Sequence, residues 1–122
     1  MKLNAKQRIV LAGVLRSQRA LAGMDYHAAD YATSIRRGQY RLAIVRARDG
    51  AVPINLDEWL GRQPTNSDRV MYCRELDRLE IMGLLQRLNF YTDRRTMRRA
   101  SHVRLTATGL EVAERLLAEE PA

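Results

Sequence analysis

The chain has 122 residues, 46% of them hydrophobic, which is enough for one modest core and therefore for one domain. It carries 21 Lys and Arg residues against 14 Asp and Glu residues, a net charge of +7, and lysine occurs only at Lys2 and Lys6. No apolar run approaches the ~20 residues that span a bilayer, and a single cysteine excludes an internal disulfide, so we expect a cytoplasmic protein with no membrane segment.

Two helices are predicted ahead of residue 39. Asn4 followed by Gln7 is a capping-box pattern, and it predicts a helix that runs to about Ala22. Asp25 can cap a second helix over residues 26–37, which Gly38 would end. We therefore treat residues 1–38 as an amino-terminal helical segment.

A third helix, a short strand and a fourth helix are predicted next. The helix over residues 39–49 carries apolar residues on one face and three outward arginines on the other, namely Arg41, Arg46 and Arg48. Pro53 confines the extended piece around it to a sheet edge. Asn55 with Glu58 is a second capping box, and it opens a short helix over 56–60. Trp59 of that helix should bury against the helix that follows.

The helix over residues 66–82 is strongly amphipathic. Ser67 is a candidate N-cap, and Gly83 ends the helix because glycine alone adopts a left-handed conformation without a Cβ penalty. One face carries Tyr72, Leu76 and Leu79 at spacings of three and four, which predicts packing on a core. The opposite face carries Ser67, Val70, Met71, Arg74 and Arg78.

Two strands and a last helix complete the chain. Residues 84–90 and 102–105 have the branched and aromatic content of strands, and the loop between them is rich in arginine. Thr108 with Glu111 is a third capping box, predicting a helix to about Glu119. Its inner stripe is expected to be Leu110, Ala113, Leu116 and Leu117.

The order helix, glycine, strand, basic loop, strand is that of a winged helix. The segments Leu76-Asp77-Arg78-Leu79, Gly83-Leu84 and Leu105-Thr106-x-x-Gly109 resemble the winged helix-turn-helix of MarR-type transcriptional regulators, over about residues 39–117. The resemblance implies a mainly α fold with a small β-hairpin, of the α+β class. Residues 39–122 would form the winged module with its carboxy-terminal helix, and residues 1–38 would add two extra helices.

The resemblance also implies partners. In this family, helices outside the wing module form a two-fold dimer interface, and two-fold DNA half-sites call for a homodimer. The alternative is that residues 1–38 complete the core of one subunit. A small-molecule effector pocket between these helices and the module is a further expectation. The turn over 61–66 is longer than the family's, so the start of the recognition helix stays open between Thr65 and Arg69.

The basic charge favours nucleic acid as the partner, ahead of an anionic membrane surface. We expect a regulator of transcription, in its favoured form a repressor, that binds double-stranded DNA. Helix 66–82 would enter the major groove, and the basic wing over 89–102 would contact the minor groove and backbone. The expected contact residues are Thr65, Asn66, Ser67, Arg69, Met71, Arg74, Arg78, Arg94, Arg95, Arg98, Arg99 and His102.

Several alternatives remain open beside this hypothesis. The module could serve protein interaction or assembly in a replication, segregation or mobile-element complex, and charge runs are often only solvated faces. Arg78 can pair with Asp77 or Glu80 along its own helix. Cys73 with His27 or His102 is a weak catalytic pair, since Cys73 is expected to act as a small hydrophobe. We expect no enzyme, cofactor or metal site.

Overall fold

The computed structural model describes residues 2–27, 34–90 and 100–120. Five helices and three strands lie within them: α1 (Ala5–Ala22), α2 (Ser34–Arg48), β1 (Ala51–Pro53), α3 (Leu56–Leu60), α4 (Asn66–Ile81), β2 (Leu85–Leu88), β3 (His102–Leu105) and α5 (Ala107–Glu119). The protein is mainly helical with one small antiparallel sheet, so the predicted α+β class is confirmed. No helix in these ranges is long and apolar enough to cross a membrane.

Helix α1 lies at the centre of the core. Its start is the predicted capping box, in which Asn4 Oδ1 accepts from the Gln7 N–H at 2.8 Å and Gln7 Oε1 accepts from the Asn4 N–H at 3.0 Å. Val10, Leu11 and Val14 are fully buried. The helix packs against α2, α3, α4 and α5 and against β1 and β3. Thus α1 completes the core of the subunit, which was the alternative expectation for this segment.

Helix α2 differs from the prediction. It runs from Ser34 to Arg48 without ending at Gly38, while Tyr26 and His27 lie in a turn and residues 28–33 fall outside the described ranges. A glycine inside a helix costs only about 1 kcal/mol relative to alanine, so Gly38 is tolerated in the interior of α2. The expected division between residues 38 and 39 therefore lies inside one helix.

The sheet has the strand order β1-β3-β2, with both pairs antiparallel. Val52 faces Val103, and Leu85 faces Leu105. Val52, Val103 and Leu85 lie in the core, and the strand order leaves β1 at the edge, where Pro53 is exposed. The predicted edge position of the proline is thus confirmed.

Trp59 packs on α1, in the same buried cluster as Tyr72, Leu76 and Leu79 of α4, the helix against which it was expected to bury. Its indole N–H donates to Ser17 Oγ at 3.1 Å, and a Cβ on Gly13 would lie 2.5 Å from the ring. The absence of a side chain at Gly13 makes the room for the ring. Asn55 caps α3 as predicted, by accepting from the Glu58 N–H at 3.4 Å.

Helix α5 begins two residues before the predicted position. Its N-cap is Thr106 and not Thr108, since Thr106 Oγ1 accepts from the Gly109 N–H at 3.0 Å and donates to the Gly83 carbonyl at 2.6 Å. The second bond joins the helix start to the end of α4 and selects this threonine over the other. Leu110 was expected in the inner stripe, but its side chain is 39% exposed, whereas Ala113 is fully buried.

Candidate nucleic-acid interface

The amino terminus of α4 is capped by Thr65, not by Ser67 as predicted. Thr65 Oγ1 accepts from the Asp68 N–H at 3.1 Å, and Asp68 Oδ2 accepts from the Thr65 N–H at 2.8 Å. Arg62 closes the turn with two bonds to the Asp68 carboxylate, at 2.6 and 3.2 Å. The helix therefore starts at Asn66. The Thr65 hydroxyl, expected to contact DNA, is instead engaged in the cap.

The Asp68 carboxylate should make the stability of this turn depend on pH. The Arg62 hydrogen bonds, followed by those of Thr65, hold its pKa well below its ordinary value. A depressed pKa means that the contribution is fully present above about 3.9, the value in unfolded chains, and is lost as pH falls toward the folded pKa. Urea unfolding of Asp68→Asn beside the natural protein should show a constant deficit at pH 5–7 that shrinks below pH 4. A deficit independent of pH would contradict this account.

The face of α4 predicted to point outward is exposed. Its exposed side chains are Asn66, Ser67, Arg69, Val70, Met71, Cys73, Arg74 and Arg78. The inner face places Tyr72, Leu76 and Leu79 in the core, as predicted. Cys73 was expected to pack as a small hydrophobe beside that core, and it is exposed instead.

The arginines of this face differ in what they bind. Arg78 pairs with Glu75 at 2.8 Å, a partner that differs from the expected Asp77 and Glu80. The side chains of Arg69 and Arg74 form no hydrogen bond or ion pair with any residue in the described part of the chain. Their guanidinium groups are therefore the α4 guanidinium donors that the described residues leave open.

Glu75 ties α4 to α1, a role that the sequence analysis missed. The side chain is only 5% exposed, and its carboxylate accepts from Gln7 Nε2 at 3.0 Å, from Asn4 Nδ2 at 3.4 Å and from Arg78. The capping box of α1 thus also binds α4. Position 75 lies three residues after Tyr72 and four before Leu79, so helical periodicity could have placed this acid on the buried face.

An ion-pair cluster fixes β2 to the carboxy-terminal half of α4. Arg87 contacts Asp77 at 2.8 Å and Glu80 at 3.0 Å, and its backbone N–H donates to Glu80 at 2.8 Å. That backbone bond is the main cause of the lowered pKa of Glu80. The cluster sets the direction in which the β2–β3 hairpin leaves α4. The four expected wing arginines, Arg94, Arg95, Arg98 and Arg99, lie outside the described residues.

At the base of the hairpin, His102 is buried, although it was expected at the surface as a DNA contact. Its side chain is 5% exposed, its Nδ1 lies 2.8 Å from Ser101 Oγ, and its ring meets Phe90 edge-on at 4.7 Å. Burial, followed by the charge of Arg46, lowers the pKa of His102. The imidazole therefore belongs to the packing of the hairpin base.

Two other arginines of α2 bind the chain that follows α1. Arg41 Nε donates to the Tyr26 carbonyl at 3.2 Å, and Arg48 Nε donates to the Ala22 carbonyl at 3.4 Å. Arg41 also lies over the Tyr26 ring at 5.2 Å. The prediction that the α2 arginines all point outward was wrong for Arg41 and Arg46, which are half-buried. Arg48 stabilises the end of α1 through the Ala22 carbonyl, and Arg41 stabilises the turn that follows through the Tyr26 carbonyl.

The predicted Cys73–His pair, metal-binding groups and cavities bear on catalysis and ligand binding. Within the described residues, Cys73 forms no hydrogen bond to His27 or His102, and no group of three or more His, Cys, Asp or Glu side chains there could hold a metal ion. A cavity of about 220 Å³ opens between α1, the end of α2, β3 and α5. A second cavity, of about 290 Å³, lies between α1 and α5, and the effector pocket stays a prediction.

Comparison of the chain with protein-family models, with curated proteins and with solved structures finds no match. Function is therefore inferred from the geometry of α4. Its inner face is packed, its start is capped, and Glu75 and Arg87 fix it to α1 and β2, while the exposed guanidinium groups of Arg69 and Arg74 have no partner among the described residues. A rigid helix that presents open guanidinium donors can bind an extended anion.

Proposed function

We propose that this protein is a DNA-binding regulator of transcription that inserts α4 into the major groove of double-stranded DNA. The observation that carries the proposal is that the side chains of Arg69 and Arg74 are exposed, with no partner in residues 2–27, 34–90 and 100–120, on a helix whose position is otherwise fixed. Arginine donates two parallel N–H bonds to guanine O6 and N7, the commonest specific contact in that groove. Asn66 and Ser67 stand at the helix start, where backbone N–H groups also favour phosphate.

The order of elements supports a winged helix-turn-helix for this task. We assign α1, β1, α3, α4, β2 and β3 to the module, because α1 packs on both α3 and α4 and against β1 and β3. In this assignment α2 is an additional helix between α1 and β1. This assignment replaces the expected module boundary at residue 39, under which α2 would have been the first helix of the module. The β2–β3 hairpin then forms the wing.

Packing around the sequence motifs adds to this support. Gly83, Leu84 and Thr106 meet where α4 ends and α5 begins, through the bond from Thr106 Oγ1 to the Gly83 carbonyl and the bond from the Thr106 N–H to the Leu84 carbonyl at 3.1 Å. The segments that resemble MarR-type regulators therefore form one contact between the helix and the hairpin. A homodimer remains the proposed binding form, since paired half-sites require two-fold symmetry.

The test is selection of duplexes from a random pool, followed by titration at several salt concentrations. We expect an enriched sequence, palindromic if the protein binds as a dimer. The logarithm of the affinity should fall with the logarithm of the salt concentration, by about 0.9 per phosphate contacted. Absence of duplex binding at low salt, or a slope near zero, would contradict DNA binding and favour the assembly-module alternative.

A further inference from the structure

Arg46 differs from the other α2 arginines in what surrounds its guanidinium. The group lies over the Phe90 ring, 4.4 Å from its centroid, and the side chain is half-buried. Within residues 2–27, 34–90 and 100–120 it has no carboxylate, carbonyl or hydroxyl acceptor. A partly desolvated guanidinium with unfilled donors is costly, which points to an anion outside the chain.

The ring beneath Arg46 is itself held in place. The Phe90 N–H donates to Ser101 Oγ at 3.0 Å, and Ser101 Oγ also contacts the Leu88 carbonyl at 3.3 Å. His102 meets the ring edge-on, at an interplanar angle of 71°. The backbone bond and the His102 ring therefore hold Phe90 in place, and stacking on its ring orders the Arg46 guanidinium before it binds a ligand.

The position of Arg46 indicates which anion that would be. Phe90 directly precedes residues 91–99, which carry the arginine-rich sequence of the predicted wing. A nucleic-acid backbone followed by the wing arginines would therefore pass close to Arg46. Arg87, the hairpin residue that contacts α4, lies on the strand face opposite that of Leu88 and His102. Arg46 lies over Phe90, which His102 contacts, so Arg46 is on the other side of the hairpin from α4 and outside the groove that α4 would enter.

We propose that Arg46 binds a backbone phosphodiester of duplex DNA beside the wing, with Phe90 holding its guanidinium in place. The inference rests on the proposed function and adds to it a contact from α2, outside the recognition helix and the wing. Because a phosphate carries no base identity, the contribution of Arg46 is the same on every sequence.

The experiment measures affinity for a selected and a random duplex across salt concentrations, for the natural protein, Arg46→Gln and Phe90→Leu. Arg46→Gln should lower the salt slope by about 0.9 and weaken both duplexes roughly fivefold to tenfold near 0.1 M salt. Phe90→Leu should keep the slope and weaken both by about twofold to fourfold, because the charge stays but is no longer held. Arg115 on α5 is also exposed and unpaired in the described structure, so Arg115→Gln is the matched control. It should change neither the salt slope nor the affinity for either duplex.

If a folded Arg46→Gln variant keeps the salt slope of the natural protein, the inference is overturned, and the contact of Arg46 with Phe90 has only a packing role. If that variant melts early, Arg46→Lys decides: it should keep the slope but lose affinity about twofold to fourfold, whereas affinity equal to the natural protein would overturn the inference. Failure of the natural protein to bind any duplex would reject the proposed function itself. Binding that depends on Arg74 and not on Arg46 would reject the present inference alone.

Discussion

Replacing Arg74 with alanine should weaken binding to the selected duplex by about 1–3 kcal/mol and flatten the preference at one base pair. The side chain is exposed on the outward face of α4 and has no partner in the described chain, so its removal disturbs no internal contact. The loss is therefore expected in binding and not in folding. Affinity for the selected site and for single-base variants of it, measured at one salt concentration, gives both quantities.

Two comparisons make the Arg74 result specific. Arg115→Ala removes an exposed, unpaired arginine from α5 and should leave affinity within about 0.3 kcal/mol, apart from a small general charge effect. Arg78→Ala also removes an arginine from the outward face, but its partner Glu75 is buried, so this variant should lose stability as well as binding. If Arg74→Ala lost the same affinity on random and selected duplexes, Arg74 would be a phosphate contact and not a base contact.

Replacing Gly109 with alanine should lower the free energy of unfolding by about 3 kcal/mol or more. A Cβ at this position would lie 1.7 Å from the Leu84 carbonyl oxygen and 2.7 Å from its carbon. Both are backbone atoms, so no rotamer change relieves the clash, and α5 must move away from the start of β2. Movement would break the bond from the Thr106 N–H to the Leu84 carbonyl, 3.1 Å long, which joins the two elements.

Urea unfolding of Gly109→Ala measures this effect. Gly23→Ala is the control. Gly23 has an ordinary helical conformation with φ −85°, and the nearest atom to a Cβ there, the Arg19 carbonyl oxygen, would be 3.2 Å away. The control should stay within about 0.5 kcal/mol of the natural protein. Equal stability of Gly109→Ala and Gly23→Ala would show that α5 does not approach Leu84 this closely.

Local signals in the chain predicted the limits of several elements. The Asn4–Gln7 box and the caps at Asn55 and Gly83 join residues three or four positions apart, so their geometry depends on the adjacent sequence alone. The inner face of α4 followed from the helical period for the same reason. Where two local signals compete, the sequence alone does not show which of them operates. Thr106 and Thr108 are both plausible caps, and the distant Gly83 carbonyl selects Thr106.

The partners of the charged side chains depend on long-range contacts, because the sequence does not show which side chains come together in the fold. The arginine content predicted a basic surface, yet the structure alone separates Arg74, whose side chain has no partner among the described residues, from Arg78, which Glu75 binds. Gln7 meets Glu75 across 68 positions, and burial of that pair fixes α4 on α1. The period of hydrophobic residues reports which face is buried. The partner of each charge depends on distances that only packing creates.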